Sequence, residues 1–187
     1  MPAPKVLVPL ADGCEEIEAV TIIDILRRGG VEVTAASLDG GIVKASRGVK
    51  IEPDANLDDA LQSDYDMIVL PGGAGGADRL EADARIGRLL KKMADSEKFV
   101  TAICAAPKVL AAAGLLDGRE ATSYPGYLDE NPATDMRYSN AAIVQDGKFV
   151  TSRGPGTAMD FALKLLELLT GPDRRQEVEG ALQRTDP

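Results

Sequence analysis

Apolar and polar positions along the chain alternate between short β-like runs and stretches with helical spacing. Lys5–Leu10 is an apolar, β-like run; Glu15–Arg28 follows with Ile17, Val20, Ile23, Ile25 and Leu26 near helical spacing and ends at Gly29-Gly30. Val31–Ser37 is a second β-branched run, and Ile42–Ile51, around Gly41 and Gly48, predicts a short irregular strand excursion. Tyr65–Leu70 has the composition of a buried strand stopped by Pro71-Gly72-Gly73. Ala82–Ala94 puts Ile86, Leu89, Leu90 and Met93 at helical spacing, Phe99–Ile103 returns to strand character, and the helix predicted after Cys104 closes at Gly114. Glu120–Ser123 predicts a short strand, while Ala141–Gln145 and Lys148–Ser152 flank Asp146-Gly147 as a hairpin. Met159, Phe161, Ala162, Leu165, Leu166 and Leu169 form the stripe of a last apolar helix; Gly171-Pro172 interrupts it before a more polar helix over 174–183.

Strands alternating with helices predict an α/β sandwich, in which ligands gather at the carboxyl ends of the strands; the turns at Gly72 and Cys104 both fall there. At 187 residues, with neither a linker nor an internal repeat, the chain is expected to form one domain over residues 1–187.

Charge and composition narrow the function. A net charge of −9 without a Lys/Arg block opposes binding to a phosphate backbone, so no stable nucleic-acid partner is expected. Two distant cysteines with no CxxC point to a reducing compartment, most simply the cytoplasm, and the apolar run Val6–Ala11 is too short to span a bilayer. Histidine is absent, which removes Cys-His dyads, Ser-His triads and HExxH zinc sites from this chain, and two distant cysteines are a poor zinc set. No metal or cofactor is expected, and acid–base work falls to carboxylates, tyrosine, lysine, water or backbone.

Cys104 is the candidate nucleophile. It stands where Phe99–Ile103 gives way to Ala105-Ala106-Pro107, a strand, sharp turn and helix start whose small neighbours suit a nucleophile elbow. Unpaired N–H groups and the helix dipole at such a junction favour thiolate; the competing reading is an inert core cysteine, since free cysteine is among the most buried residue types. Glu15, Glu16 and Glu18 lie in a helix's first turn, where acids are ordinarily stabilised by the dipole. Glu18, near the border of the apolar face, is also placed to turn inward as a desolvated, protonated partner of Cys104. Pro71–Gly76 is either a flexible turn or a nest of N–H donors for an oxyanion, and lacks both the dinucleotide fingerprint and the Walker lysine. Ser152–Thr157 reads as a proline-led helix start, with anion binding as the lesser alternative, and Cys14 reads as passive.

Four segments in order carry a resemblance. Ala11–Glu18 is similar to A-x-G-x-E-E-x-E, Val69–Gly73 to V-L-P-G-G, Ala102–Pro107 to A-I-C-A-[GA]-P, and Thr151–Thr157 to T-S-R-G-P-G-T of the ThiJ/PfpI family, in its YajL-like branch, which also contains the parkinsonism-associated protein deglycase. The resemblance spans essentially the whole chain. It implies a flavodoxin-like three-layer sandwich with a mostly parallel central sheet, usually as a homodimer, with Cys104 at the elbow, Glu18 as its protonated partner, and the N–H groups of Gly73 and Ala105 as the oxyanion pocket. Gly72, Tyr124, Arg153 and Pro155 are expected around that pocket. The implied activity is glutathione-independent glyoxalase or protein deglycase chemistry on small reactive aldehydes or glycated protein groups, and the alternative is an oxidation-sensing stress protein or redox-regulated chaperone using Cys104 sulfinate. Many members place a histidine in a T-H-P-type segment; Ser123-Tyr124-Pro125 stands there here, which argues against a Cys-His protease and leaves Tyr124 or water as the substitute proton carrier.

Overall fold

The computed structural model describes residues 2–184, so the two ends of the predicted 1–187 domain lie outside the described residues. In chain order the elements are β1 (Lys5–Leu10), α1 (Glu16–Arg28), β2 (Glu32–Ser37), β3 (Val43–Lys44), β4 (Lys50–Ile51), β5 (Ala55–Asn56), α2 (Leu57–Ala60), β6 (Met67–Leu70), α3 (Ala74–Ala82), α4 (Ala84–Asp95), β7 (Phe99–Ile103), α5 (Pro107–Ala112), β8 (Glu120–Ala121), β9 (Arg137–Tyr138), β10 (Ile143–Asp146), β11 (Phe149–Ser152), α6 (Ala158–Thr170) and α7 (Pro172–Ala181).

The central sheet has seven strands in the order β10-β11-β7-β6-β1-β2-β5, all parallel except the β10–β11 hairpin. Its middle strands are apolar on both faces: Met67–Leu70 is buried throughout, as is β1 after Lys5. That continuous burial requires helices on each side of a parallel sheet. α1 packs on α6, which carries α7, and α3 packs on both α4 and α5. The apolar stripe of α6, with Phe161, Ala162, Leu165 and Leu166 fully buried, closes on Gly29 at the end of α1, where a β-carbon would lie 2.1 Å from Leu166 Cδ1. The expected flavodoxin-like three-layer sandwich is the observed architecture.

Three local expectations need correction. The helix predicted over 82–94 is α4, which begins at Ala84 because Asp83 caps it, its carboxylate accepting from Arg85 N at 2.8 Å. A separate helix that was not predicted, α3, precedes it and starts inside the glycine run at Ala74. Glycine disfavours a helix in isolation, but a β-carbon at Gly76 would lie 2.7 Å from Cys14 Cα and N, so close packing on the β1–α1 loop selects glycine there. The hairpin turn is Gly147-Lys148 rather than Asp146-Gly147, with Asp146 paired to Phe149; Gly147, at φ 62, takes the first loop position of a II′-type turn. The two-residue strands β5 and β9 and the four-residue α2 are too short to leave a periodic signal in the sequence.

Sheet order fixes where the site forms. The chain runs outward from β1 to β2 on one side, then crosses to β6, β7 and β11 on the other, so the order reverses between β1 and β6. At such a point the loops leaving adjacent strands diverge and open a crevice at the carboxyl ends.

Candidate active site

Three loops meet at that crevice: Ala11–Glu15 after β1, Pro71–Gly73 after β6 and Cys104–Ala106 after β7. Backbone bonds fix them: Glu15 N donates to the Gly72 carbonyl at 2.9 Å, joining the first two loops, and Cys104 N donates to the Ser152 carbonyl at the end of β11 at 2.9 Å. Gly73, at φ 86, lies so close to the first loop that a β-carbon would sit 2.3 Å from Gly13 O. Cys104 is a non-glycine residue at φ 64, an uncommon left-handed conformation that the sharp strand-to-helix elbow imposes.

The three glutamates at the start of α1 divide the work. Glu15 caps the helix, its carboxylate accepting from Glu18 N at 2.9 Å. Glu16 reaches across to the β3–β4 turn and accepts from Ser46 Oγ at 2.9 Å and Arg47 N at 2.8 Å. Glu18 points into the protein at 0 % exposure and accepts from Gly72 N at 2.7 Å through Oε2. Its other oxygen, Oε1, is buried without a hydrogen bond of good geometry, and the Cys104 thiol is the neighbouring side chain that acts on the carboxyl.

Burial pushes the Glu18 carboxyl up to about 7, assisted by the charge of Glu15 and opposed by the Cys104 thiol and the Gly72 N–H. Cys104 is 8 % exposed. Burial, then the charge of Glu18, pushes its thiol up to about 12, while the N–H groups of Gly73 and Ala105 pull it down. The donors expected to favour the thiolate are present at Gly73 and Ala105, and burial and the charge of Glu18 act against them. Helix α5 has only six residues, so its dipole is small, and desolvation outweighs two N–H donors. Cys104 and Glu18 are therefore a coupled buried pair, in which ionisation of the carboxyl disfavours ionisation of the thiol. Cys14 is buried and likewise pushed up to about 12, first by burial and then by Glu16, Glu15, Asp12 and Glu18.

A cavity of about 480 Å³ opens over this pair. Cys104, Gly73, Ala105, Tyr124 and Pro155 line it, as expected, and Gly72 lies beneath as the donor to Glu18. Arg153 is not brought in; its guanidinium donates to Asn140 Oδ1 at 2.9 Å and Asn140 O at 3.3 Å. The Ser152–Thr157 segment is likewise self-satisfied, Thr157 Oγ1 accepting from Gly154 N at 3.1 Å and lying 2.7 Å from Ser152 Oγ. Sequence reasoning missed Ser46, Arg47 and Tyr127, which also line the cavity. Ser46 and Arg47 carry no motif of their own and are brought there by Glu16; Tyr127 lies in an irregular turn, where spacing gives no signal of which way a side chain faces. Among the described residues no cluster of His, Cys, Asp or Glu is suited to hold a metal ion, and no helix is long and apolar enough to cross a membrane.

Residues 4–168 match the model of the DJ-1/PfpI family. The chain is 43% identical over 177 residues to Protein dj-1beta of Drosophila melanogaster, covering 94% of this chain and 95% of that protein. It is 38% identical over 169 residues to a Caenorhabditis elegans protein named glutathione-independent glyoxalase DJR-1.2, covering 90% and 89%. Among solved structures, Toxoplasma gondii DJ-1, oxidized, aligns with a TM-score of 0.93 at 43% identity, covering 98% of this chain and all of that one.

Proposed function

The chain belongs to the DJ-1/PfpI family, and from that premise we propose that it is a cysteine-dependent enzyme of reactive carbonyls, of the glutathione-independent glyoxalase and protein-deglycase type. Cys104 is the nucleophile and Glu18 the proton carrier. The observation that supports this best is a fully buried carboxyl that stays neutral up to about pH 7 beside a thiol in one small cleft. When the pair loses its first proton, the remaining one is shared between sulfur and carboxyl. With that proton on Glu18, the sulfur is a thiolate facing the N–H groups of Gly73 and Ala105.

With methylglyoxal, Sγ adds to the aldehyde carbon and the C=O electron pair moves onto oxygen, where the Gly73 and Ala105 donors stabilise it. Glu18 gives its proton to the C2 carbonyl oxygen and takes the one on C1, forming an enediol, and the same carboxyl then delivers that proton to C2, which turns the hemithioacetal into a lactoyl thioester. Water cleaves that ester to lactate and returns the thiol. A glycated amine or thiol is released unmodified by the same logic. The C. elegans relative named as a glyoxalase supports the substrate class. Methylglyoxal consumption by wild type and by Cys104→Ser tests the reading: it predicts loss of activity in the variant, and equal rates would dismiss a catalytic thiol.

A second reading uses the same sulfur as an oxidation sensor or redox-regulated chaperone, with Glu18 donating a hydrogen bond to the sulfinate. The oxidized T. gondii relative favours it. Intact mass after mild peroxide is its test, with oxygen expected on Cys104 ahead of Cys14 and the methionines.

The macromolecular partner in this reading is a second copy of the chain. Ile17 and Val20, one turn apart on α1, are 56 % and 48 % exposed, an apolar pair that a homodimer would cover. Light scattering checks it: a dimer is predicted, and a monomer would remove it. The two unpaired cysteines fit a reducing compartment such as the cytoplasm.

A further inference from the structure

The chain has four tyrosines, and they fall into two pairs. Tyr65 and Tyr138 donate their hydroxyls to the carbonyls of Ala60 and Ser123, at 3.0 and 3.3 Å. Tyr124 and Tyr127 line the Cys104 cavity, and neither hydroxyl has a protein partner among the described residues. A phenol left unpaired in a cleft is available to whatever enters it.

The two cleft tyrosines are not equivalent. Tyr124 is 49 % exposed, with its ring laid along Gly154, where a β-carbon would meet its Cδ2 at 3.2 Å. Tyr127 is half-buried. Burial, then the charge of the Cys104 sulfur, raises its phenol above the ordinary tyrosine value, and the Lys108 ammonium pulls it down. Lys108 is itself fixed by Asp78 and by Glu81 at 3.7 Å. The loop carrying Tyr127 is tied to the elbow, Tyr124 N donating to the Cys104 carbonyl at 2.9 Å and Leu128 N to Ser123 Oγ at 3.1 Å.

We propose that Tyr127 is a catalytic residue of the carbonyl reaction, its hydroxyl protonating the oxygen of the adduct formed on Cys104 and recovering that proton when the adduct breaks down. The inference rests on the carbonyl-enzyme reading above. As the S–C bond forms, the C=O electron pair moves onto oxygen; the Tyr127 O–H bond breaks and the adduct O–H bond forms, leaving a phenolate within electrostatic reach of the Lys108 ammonium. The Gly73 and Ala105 amides donate hydrogen bonds to the same oxygen but cannot give up their protons. Tyr127 thereby does in this histidine-free chain what an imidazole would otherwise do, while Tyr124 serves as wall.

The test measures kcat and KM for methylglyoxal in wild type, Tyr127→Phe and Tyr65→Phe, together with the iodoacetamide alkylation rate of Cys104. Tyr127→Phe keeps the ring and its packing, so it is expected to fold, to alkylate at the wild-type rate, and to lose on the order of 100-fold in kcat; Tyr65→Phe, which loses a hydroxyl held by the Ala60 carbonyl outside the cavity, is expected to stay near wild type. A wild-type kcat in Tyr127→Phe overturns the proposal, as does a loss matched by slower alkylation, which would locate the defect in the thiol. If wild type alkylates at Cys104 yet leaves methylglyoxal untouched, the carbonyl reading itself has failed and this role falls with it, a result visible without any variant.

Discussion

Cys104 and Glu18 close on a single point of backbone: a β-carbon on Gly72 would lie 2.6 Å from Cys104 Cβ and 2.7 Å from Glu18 Oε2. The same point is 2.8 Å from the Ile103 carbonyl, which cannot swing aside as a flexible side chain would. Gly72→Ala is therefore predicted to destabilise the fold by about 1–3 kcal/mol through overpacking and to remove carbonyl activity. Gly87→Ala is the control. Gly87 is helical in α4, with nothing within 4 Å of its would-be β-carbon, so that change is predicted to stabilise by about 0.5–1 kcal/mol. Urea midpoints of the two variants against wild type check both signs.

Glu18 makes stability depend on pH. Its carboxyl titrates near 4.5 in the unfolded chain and near 7 in the folded one, so between those values the folded state holds the extra proton. Stability therefore falls as pH rises through this window, by on the order of 3 kcal/mol for this group. Chemical denaturation of wild type and Glu18→Gln at pH 4.5, 6 and 8 is predicted to show the variant gaining on wild type as pH rises, with the gain complete just above 7.

Glu16 acts in the opposite sense and for a structural reason. Burial raises its carboxyl, but hydrogen bonds from its own backbone, Ser46, Arg47 and Val49 prevail and hold it below the usual 4.5. Its contribution is present above 4.5 and lost as pH falls through the lower folded value. Glu16→Ala is predicted to destabilise by about 1.5–3 kcal/mol, the range for hydrogen bonds to a charged group. The Ser46-Arg47 wall of the cavity should loosen with it, seen as faster amide exchange at Arg47.

The sequence disclosed the fold wherever periodicity or punctuation was strong. β1 and β7 fall on the predicted residues, and α1 and α6 within a residue or two, because each is a long apolar or amphipathic run bounded by Gly, Pro or a strand break. It disclosed α3 poorly because glycines placed for close approach to Cys14 look like a loop until that neighbour is known. At the site, Cys104, Glu18, Gly73 and Ala105 were legible from local motifs, and the structure does bring them together. Arg153 was misplaced because its motif does not reveal that Asn140 takes its guanidinium. The burial that opposes the Cys104 thiolate was not legible for a related cause: a turn next to a helix start signals donors, while the depth of burial and the buried Glu18 charge depend on packing from β1 and β6.

The most direct measurement is the pH dependence of Cys104 alkylation by iodoacetamide, followed by mass spectrometry, in wild type and Glu18→Leu. If thiol and carboxyl share one proton, wild-type reactivity rises through a midpoint near 7. In Glu18→Leu the thiol must ionise alone in a dry cleft, so the midpoint moves above 9 and the rate at pH 7.5 falls on the order of 10-fold or more. Identical midpoints in the two proteins, or no inflection below 9 in wild type, would contradict the shared proton.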